Sequence, residues 1–113
     1  MSRDSSYLLD ILKAPKLALN YLEAKTKEEF SKDTQCQDAV IRRLEIIGEA
    51  AGRVSVATTA KFPSLPWKKM VSMRNIMIHE YEDVDLGIVW ETVQNDLPPL
   101  ISLLEPLIPK EEA

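Results

Sequence analysis

Leu86-Gly87-Ile88-Val89-Trp90-Glu91-Thr92-Val93-Gln94-Asn95-Asp96-Leu97-Pro98-Pro99-Leu100-Ile101-Ser102-Leu103-Leu104-Glu105-Pro106-Leu107 is the stretch that decides the fold class. Within it Leu86, Trp90, Val93, Leu97, Leu100, Leu104 and Leu107 follow one another at alternating steps of four and three. Apolar residues at that spacing run down one side of a helix and suit packing against antiparallel neighbours. Asp85 stands before the seam as an N-cap, with Val84 placed to pack on Val89 as a hydrophobic staple. Pro98-Pro99 predicts a kink, with Asn95 or Asp96 helping the turn restart. The tail from Pro109 to Ala113 is expected to fray.

Working back from the seam, three more helices are predicted. The first starts near Asp4 or Ser5, either of which can cap it, and carries Leu8, Ile11, Leu12, Pro15, Ala18, Leu19 and Leu22 on one stripe. Pro15 removes one backbone donor, which predicts a kink and not a break, because the pattern resumes in phase beyond it. Thr26 and Glu29 have capping-box spacing, so Lys27 to Lys32 is expected to form a short helical turn. Thr34 with Gln37 repeats the signal and opens a second long helix lined by Val40, Leu44, Ile47, Ala51 and Val54. Gly48 sits in the middle of that helix, where glycine is worse than alanine by ~1 kcal/mol. Its expected use is to admit a neighbouring helix at close range. Residues 55–64 read as a helix end and loop. A third helix begins around Ser64 to Trp67, with Pro66 near its first position, and buries Trp67, Met70, Met73 and Met77.

Composition agrees with this all-α reading, an antiparallel four-helix bundle with one extra short helix. Glycine is scarce among 113 residues, which suffice for one core, so residues 1–113 are expected to form a single domain. The lone Cys36 excludes an internal disulfide and is expected to be structural. No apolar run approaches the ~20 residues that span a bilayer, so a cytoplasmic protein is expected. A net charge of −4 argues against broad, non-specific nucleic-acid binding and leaves room for a small local basic cluster. Lys68, Lys69 and Arg74 form such a positive side. Arg42, Arg43, Glu45, Glu49 and Arg53 make up the polar side of the second long helix. They read either as a solvated face with helical ion pairs or as a face from which Arg42 or Arg43 leans toward a ligand cleft or partner chain.

The chemistry concentrates in Arg74-Asn75-Ile76-Met77-Ile78-His79-Glu80-Tyr81. His79 is the only histidine in the chain and can take or give a proton near neutrality. Arg74 is a permanent cation whose planar fork suits phosphate oxygens. Together they form a minimal kit for cutting a phosphodiester without a metal. On an ideal helix Asn75 and His79 share a face, whereas Arg74 lies about 140° from His79. A helix ending before His79, or a second copy of the chain, would be needed to bring them together. Metal-free RNA cleavage also needs both a base and an acid, and a two-fold dimer supplies two histidines where a monomer has one. Zinc-ligand spacing, a Gly-rich phosphate loop and a Ser/His/Asp set are missing from the sequence, and neither a metal nor a cofactor is expected.

The Arg-x4-His-x-Tyr pattern at Arg74, His79 and Tyr81 resembles the motif of the HEPN superfamily of helical ribonucleases. With Gln37-Asp38-Ala39-Val40-Ile41-Arg42-Arg43-Leu44-Glu45-Ile46-Ile47-Gly48-Glu49-Ala50 and Pro66-Trp67, the chain is similar to HepT-type toxins over nearly its whole length, from Tyr7 to Pro98. Pro15 departs from the usual pattern of that family. The resemblance implies a toxin of a toxin–antitoxin pair, an endoribonuclease with tRNA as a plausible substrate, working as a homodimer whose motifs face one cleft. Arg74, His79 and Asn75 would be its catalytic residues. It also implies a partner, a minimal nucleotidyltransferase (MntA-like) antitoxin, which attaches AMP to the tyrosine matching Tyr81. The alternative is a non-catalytic helical subunit that presents a nucleotide or substrate to a nucleotidyltransferase.

Overall fold

The protein is described by a computed structural model covering residues 3–79 and 85–108, with the backbone alone for 75–79. Seven α-helices follow in order: α1 (Arg3–Leu22), α2 (Lys27–Ser31), α3 (Thr34–Arg53), α4 (Val56–Lys61), α5 (Trp67–His79), α6 (Leu86–Glu91) and α7 (Leu97–Leu104). A π-helical turn, Thr92–Asp96, joins α6 to α7 without a break. The long rods are therefore α1, α3, α5 and the composite α6–α7, and no strand occurs among the described residues. This is the helical bundle that the apolar seams require, with two short extra helices where one was expected.

The core forms where the stripes meet. Ile11, Ala18 and Leu22 of α1 and Val40, Leu44 and Ile47 of α3 are almost completely buried. Met70, Val89, Val93, Leu97 and Leu104 close over them from the other two rods. Phe30 of α2 is the largest side chain in this interior, its ring centroid 5.8 Å from that of Trp90. Helix α3 is the middle member, packed on α1 along one side and on α5 along another. Helix α1 continues through Pro15, whose ring is buried, so the proline does not interrupt it.

Helix starts follow side-chain chemistry closely. Thr26 and Glu29 make the reciprocal capping box, Glu29 N donating to Thr26 Oγ1 (3.1 Å) and Thr26 N to Glu29 Oε1 (2.8 Å). Asp85 caps α6, accepting from Gly87 N and Ile88 N; Val84, its expected staple partner, lies outside the described residues. At α3 the cap is Asp33, which accepts from Cys36 N at 3.0 Å. Thr34 is the first helical residue and not the cap, and Gln37 reaches back to the carbonyl of Phe30. A carboxylate is the stronger acceptor at a helix N-terminus, which moves the start by one residue.

Two expectations are corrected. Residues 55–64 are not simply a helix end and loop, because Ser55 caps α4 through Thr58 N. Asp4 lies inside the first turn of α1 and reaches across to that cap. Its carboxylate accepts from Ser55 N (3.1 Å), Ser55 Oγ (2.5 Å) and Thr58 Oγ1 (2.5 Å). Pro98-Pro99 is also absorbed differently. The π turn just before it sends Leu97 N back to Thr92 O, one residue further than an α-helix would. The widened turn carries the chain into the proline pair while Val93, Leu97, Leu100 and Leu104 all stay buried.

The Asp4 clamp has a consequence in acid. The hydroxyl of Ser55, then that of Thr58, hold the Asp4 carboxyl below its ordinary value of 3.8. The folded state therefore prefers the ionised form, so this stabilisation is present above the unfolded value and disappears as pH falls through the lower folded one. Asp33 and Glu29, lowered by backbone amides at their caps, act in the same window. Asp4→Asn is expected to lower Tm at pH 7 and to shrink the loss of Tm seen on acidification below about pH 4. Thermal melts at a series of pH values check this; an unchanged slope in the variant would mean the clamp does not stabilise the fold.

Candidate active site

Helix α5 carries the candidate site, and its position is set by contacts along its length. Pro66 precedes its first turn, where a missing amide is harmless, and Pro66 O accepts from Met70 N. Trp67 is half-buried and its indole Nε1 donates to Phe62 O at 3.0 Å. Met70 and Met73 enter the core as the stripe predicts, whereas the Met77 side chain lies outside the described residues. Lys69 of the positive side pairs with Asp96 of the π turn at 3.2 Å.

Arg74 follows Met73 and is exposed. Its backbone lies directly against Gly48 of α3. A Cβ added at Gly48 would come within 2.6 Å of Arg74 N and 2.9 Å of Arg74 Cα, so no larger residue fits without moving a helix. The mid-helix glycine is thus the crossing point of α3 and α5. The close approach expected from sequence occurs at the motif arginine itself.

Asn75 and His79 belong to the same helix, His79 as its last residue; their side chains, and all of Tyr81, lie outside the described residues. Because α5 runs unbroken through His79, the helix does not end before it. Five residues on an α-helix separate the Arg74 and His79 backbone positions by about 140° of rotation. Arg74 and His79 are therefore carried on different sides of one rod.

The polar side of α3 divides. Arg42 follows the ion-pair reading, its Nη1 lying 3.3 Å from Glu49 and 3.9 Å from Glu45. Arg43 does not, for its Nε is shut off from solvent with no hydrogen-bond partner. Cys36 is buried and its thiol is pushed up, first by burial and then by the Asp33 carboxylate, which keeps it protonated and unreactive. Among the described residues no helix is long and apolar enough to cross a membrane.

Comparison with known proteins fits this arrangement. Residues 11–107 match the family model described as HepT-like, ribonuclease HepT-like. A probable ribonuclease HepT of Thermococcus cleftensis is 40% identical over 101 residues, 89% of this chain and 92% of that protein. A candidate RNase of Methanocaldococcus jannaschii is 38% identical over 95 residues, 84% of this chain and 87% of its own. A second protein of that organism, whose name joins gamma-glutamylcyclotransferase to a candidate RNase, is 44% identical over 94 residues. The match takes in 83% of this chain and only 42% of that longer protein. No solved structure matches. With a family model spanning most of its length and relatives alike over nearly their whole chains, this protein belongs to the HepT-like ribonuclease family.

Proposed function

We propose that the protein is an endoribonuclease toxin that cuts RNA, with tRNA the first substrate to test, by metal-independent transesterification in a homodimer. The observation that carries this reading is the placement of Arg74. It is held at the Gly48 crossing, exposed, on a helix that carries His79 on another side. One chain of this geometry presents an arginine and a histidine that diverge, and a symmetric pair of chains can set the arginine of one beside the histidine of the other.

In the proposed reaction a ribose 2′-oxygen attacks its own 3′-phosphorus while one His79 takes the hydroxyl proton. The bond from phosphorus to the 5′-oxygen breaks, and the protonated His79 of the second copy gives its proton to the departing oxygen. Arg74 stabilises the charge that develops on the phosphate, and Asn75 orients the phosphate or His79. The products are a 2′,3′-cyclic phosphate and a 5′-hydroxyl. Silencing follows from the same geometry. An adenylate placed on Tyr81 by a nucleotidyltransferase antitoxin adds bulk and negative charge two residues from His79, where an RNA phosphate would bind.

The test is incubation of the purified protein with total tRNA in EDTA, beside His79→Ala, followed by end-group analysis. Cleavage in EDTA giving cyclic-phosphate and 5′-hydroxyl ends, reduced roughly 10²-fold or more in the variant, is the expected result. Intact mass is measured on the same sample to detect an adenylate. An unmodified, dimeric and inert protein would overturn the enzymatic reading in favour of a nucleotide- or substrate-binding subunit.

A further inference from the structure

On the far side of α3 from its core-facing stripe, a groove of about 270 Å³ runs between α1 and α3. Ala14 and Ala50 line it, with Tyr7 and Asp10 contributed by α1 and Arg43 and Arg53 by α3. Small side chains make the floor, so the groove is a product of the helix–helix contact and not of a loose loop.

Three features give it a chemical preference. First, the Arg43 Nε faces no solvent and no acceptor, and an unpaired guanidinium donor is a cost that an incoming oxygen would relieve. Second, the acids nearby are largely occupied. Arg42 sits against Glu45 and Glu49, which leaves Arg43 and Arg53 facing Asp10 alone, and none of these three forms an ion pair among the described residues. Third, the half-buried Tyr7 supplies an aromatic ring beside the guanidinium groups, a pairing that serves single-stranded nucleic acid by stacking plus charge.

The groove also has a fixed relation to the candidate active site. Arg53 lies five residues beyond the Gly48 crossing, about 7.5 Å along the same helix. Between them Gly52 is bare, with nothing within 4 Å of where a Cβ would stand, so no side chain walls the groove off from Arg74.

We propose that this groove binds a phosphate of the RNA strand that is cut beside Arg74, with Arg43 and Arg53 as donors and Tyr7 against the neighbouring sugar or base. The inference rests on the ribonuclease reading and adds to it a substrate contact outside the Arg74–His79 motif. It explains how an acidic protein holds RNA at all. The phosphate-binding charge is local, concentrated on one face of α3, while the remaining surface repels the strand.

The experiment uses the full chain and a fluorescent 2′-O-methyl RNA oligonucleotide, which lacks the attacking hydroxyl and so reports binding without cleavage. Arg43→Gln and Arg53→Gln are each expected to weaken binding about tenfold. Each is also expected to flatten the dependence of log K on log salt by about 0.7, the loss of one phosphate contact on a single strand. Turnover of natural RNA at saturation stays at the wild-type level, because neither residue touches the reacting atoms. Arg53 is exposed, so Arg53→Gln keeps the test alive if Arg43→Gln folds poorly. Wild-type cleavage together with unaltered affinity and salt slope in Arg53→Gln would overturn the groove alone and leave it to an acidic segment of a protein partner. A wild-type protein that neither binds nor cuts RNA would overturn the ribonuclease reading, and this inference with it.

Discussion

Gly48→Ala is expected to lower both thermal stability and RNA cleavage, although alanine is the better helix former. Two effects of opposite sign compete. The propensity gain is ~1 kcal/mol. Against it, the new methyl group lands on Arg74 N and Cα, which belong to backbone and cannot swing aside as a side-chain tip would. Overpacking of this kind costs about 1–3 kcal/mol and occasionally more, and a clash with backbone belongs at the upper end. The net result is a loss of roughly 1–2 kcal/mol, or a Tm several degrees lower for a domain of this size. Gly52 is the matched control on the same helix. A Cβ there meets nothing within 4 Å, so Gly52→Ala is expected to raise Tm. The double variant separates scaffold from site. It should recover much of the lost Tm while cleavage stays low, because α5 remains pushed away at Arg74. If Gly48→Ala melts at or above the wild-type temperature, the two helices do not cross there.

Arg74→Ala should show the opposite partition, an enzyme that is nearly inactive and fully folded. The side chain is exposed, and substitutions at such positions change stability by less than about 0.5 kcal/mol. Loss of one electrostatic stabiliser of a transition state lowers turnover by roughly 10²–10³. Arg74→Lys keeps the charge and loses the planar fork, so it should fall between alanine and the natural residue. The loss is expected in kcat more than in KM, since the arginine acts on charge that develops during reaction. Single-turnover cleavage and a melt on each variant check this. Cleavage by Arg74→Ala within a few-fold of wild type would remove the arginine from the proposed chemistry.

These expectations depend on how much of the molecule its sequence announces. The seam from Leu86 to Leu107 announces a helix because its period is that of a helix, and its members are buried or half-buried accordingly. Gly48 was legible for a related reason. A residue that weakens a helix interior implies a compensating contact, and the contact exists. Short-range signals also read true, as in the capping box of Thr26 and Glu29. Helix α4 was harder to see. Val56, Thr58 and Thr59 are β-branched and poor helix formers, so its existence depends on the Ser55 cap and on Asp4, 51 residues away. No periodicity reveals a bond at that separation. The π turn is similar, because Pro98-Pro99 announces a disturbance without saying which side absorbs it.

At the candidate site the balance was different. The motif identified Arg74 and His79 by residue type and spacing, and helical geometry gave their divergence before any coordinates did. The groove at Tyr7, Arg43 and Arg53 was not legible in the same way. Arg42 and Arg43 are neighbours in sequence with equal claims to an ion pair, and only packing leaves the first satisfied and the second not.

The central position of α3 also bears on the order in which the molecule is built. Helix α1 meets α3 and α3 meets α5, so these contacts join rods that are successive long elements of the chain. Only α7 returns across the whole chain to α1, where Lys16 meets Glu105 at a separation of 89 residues. Closing short loops costs less chain entropy, and structures rich in local contacts fold quickly. The α1–α3–α5 layer therefore has the kinetic advantage, and during synthesis it leaves the ribosome before the last rod exists. The Gly48 crossing is laid down in that first layer, so Arg74 takes its place before the closing helix arrives.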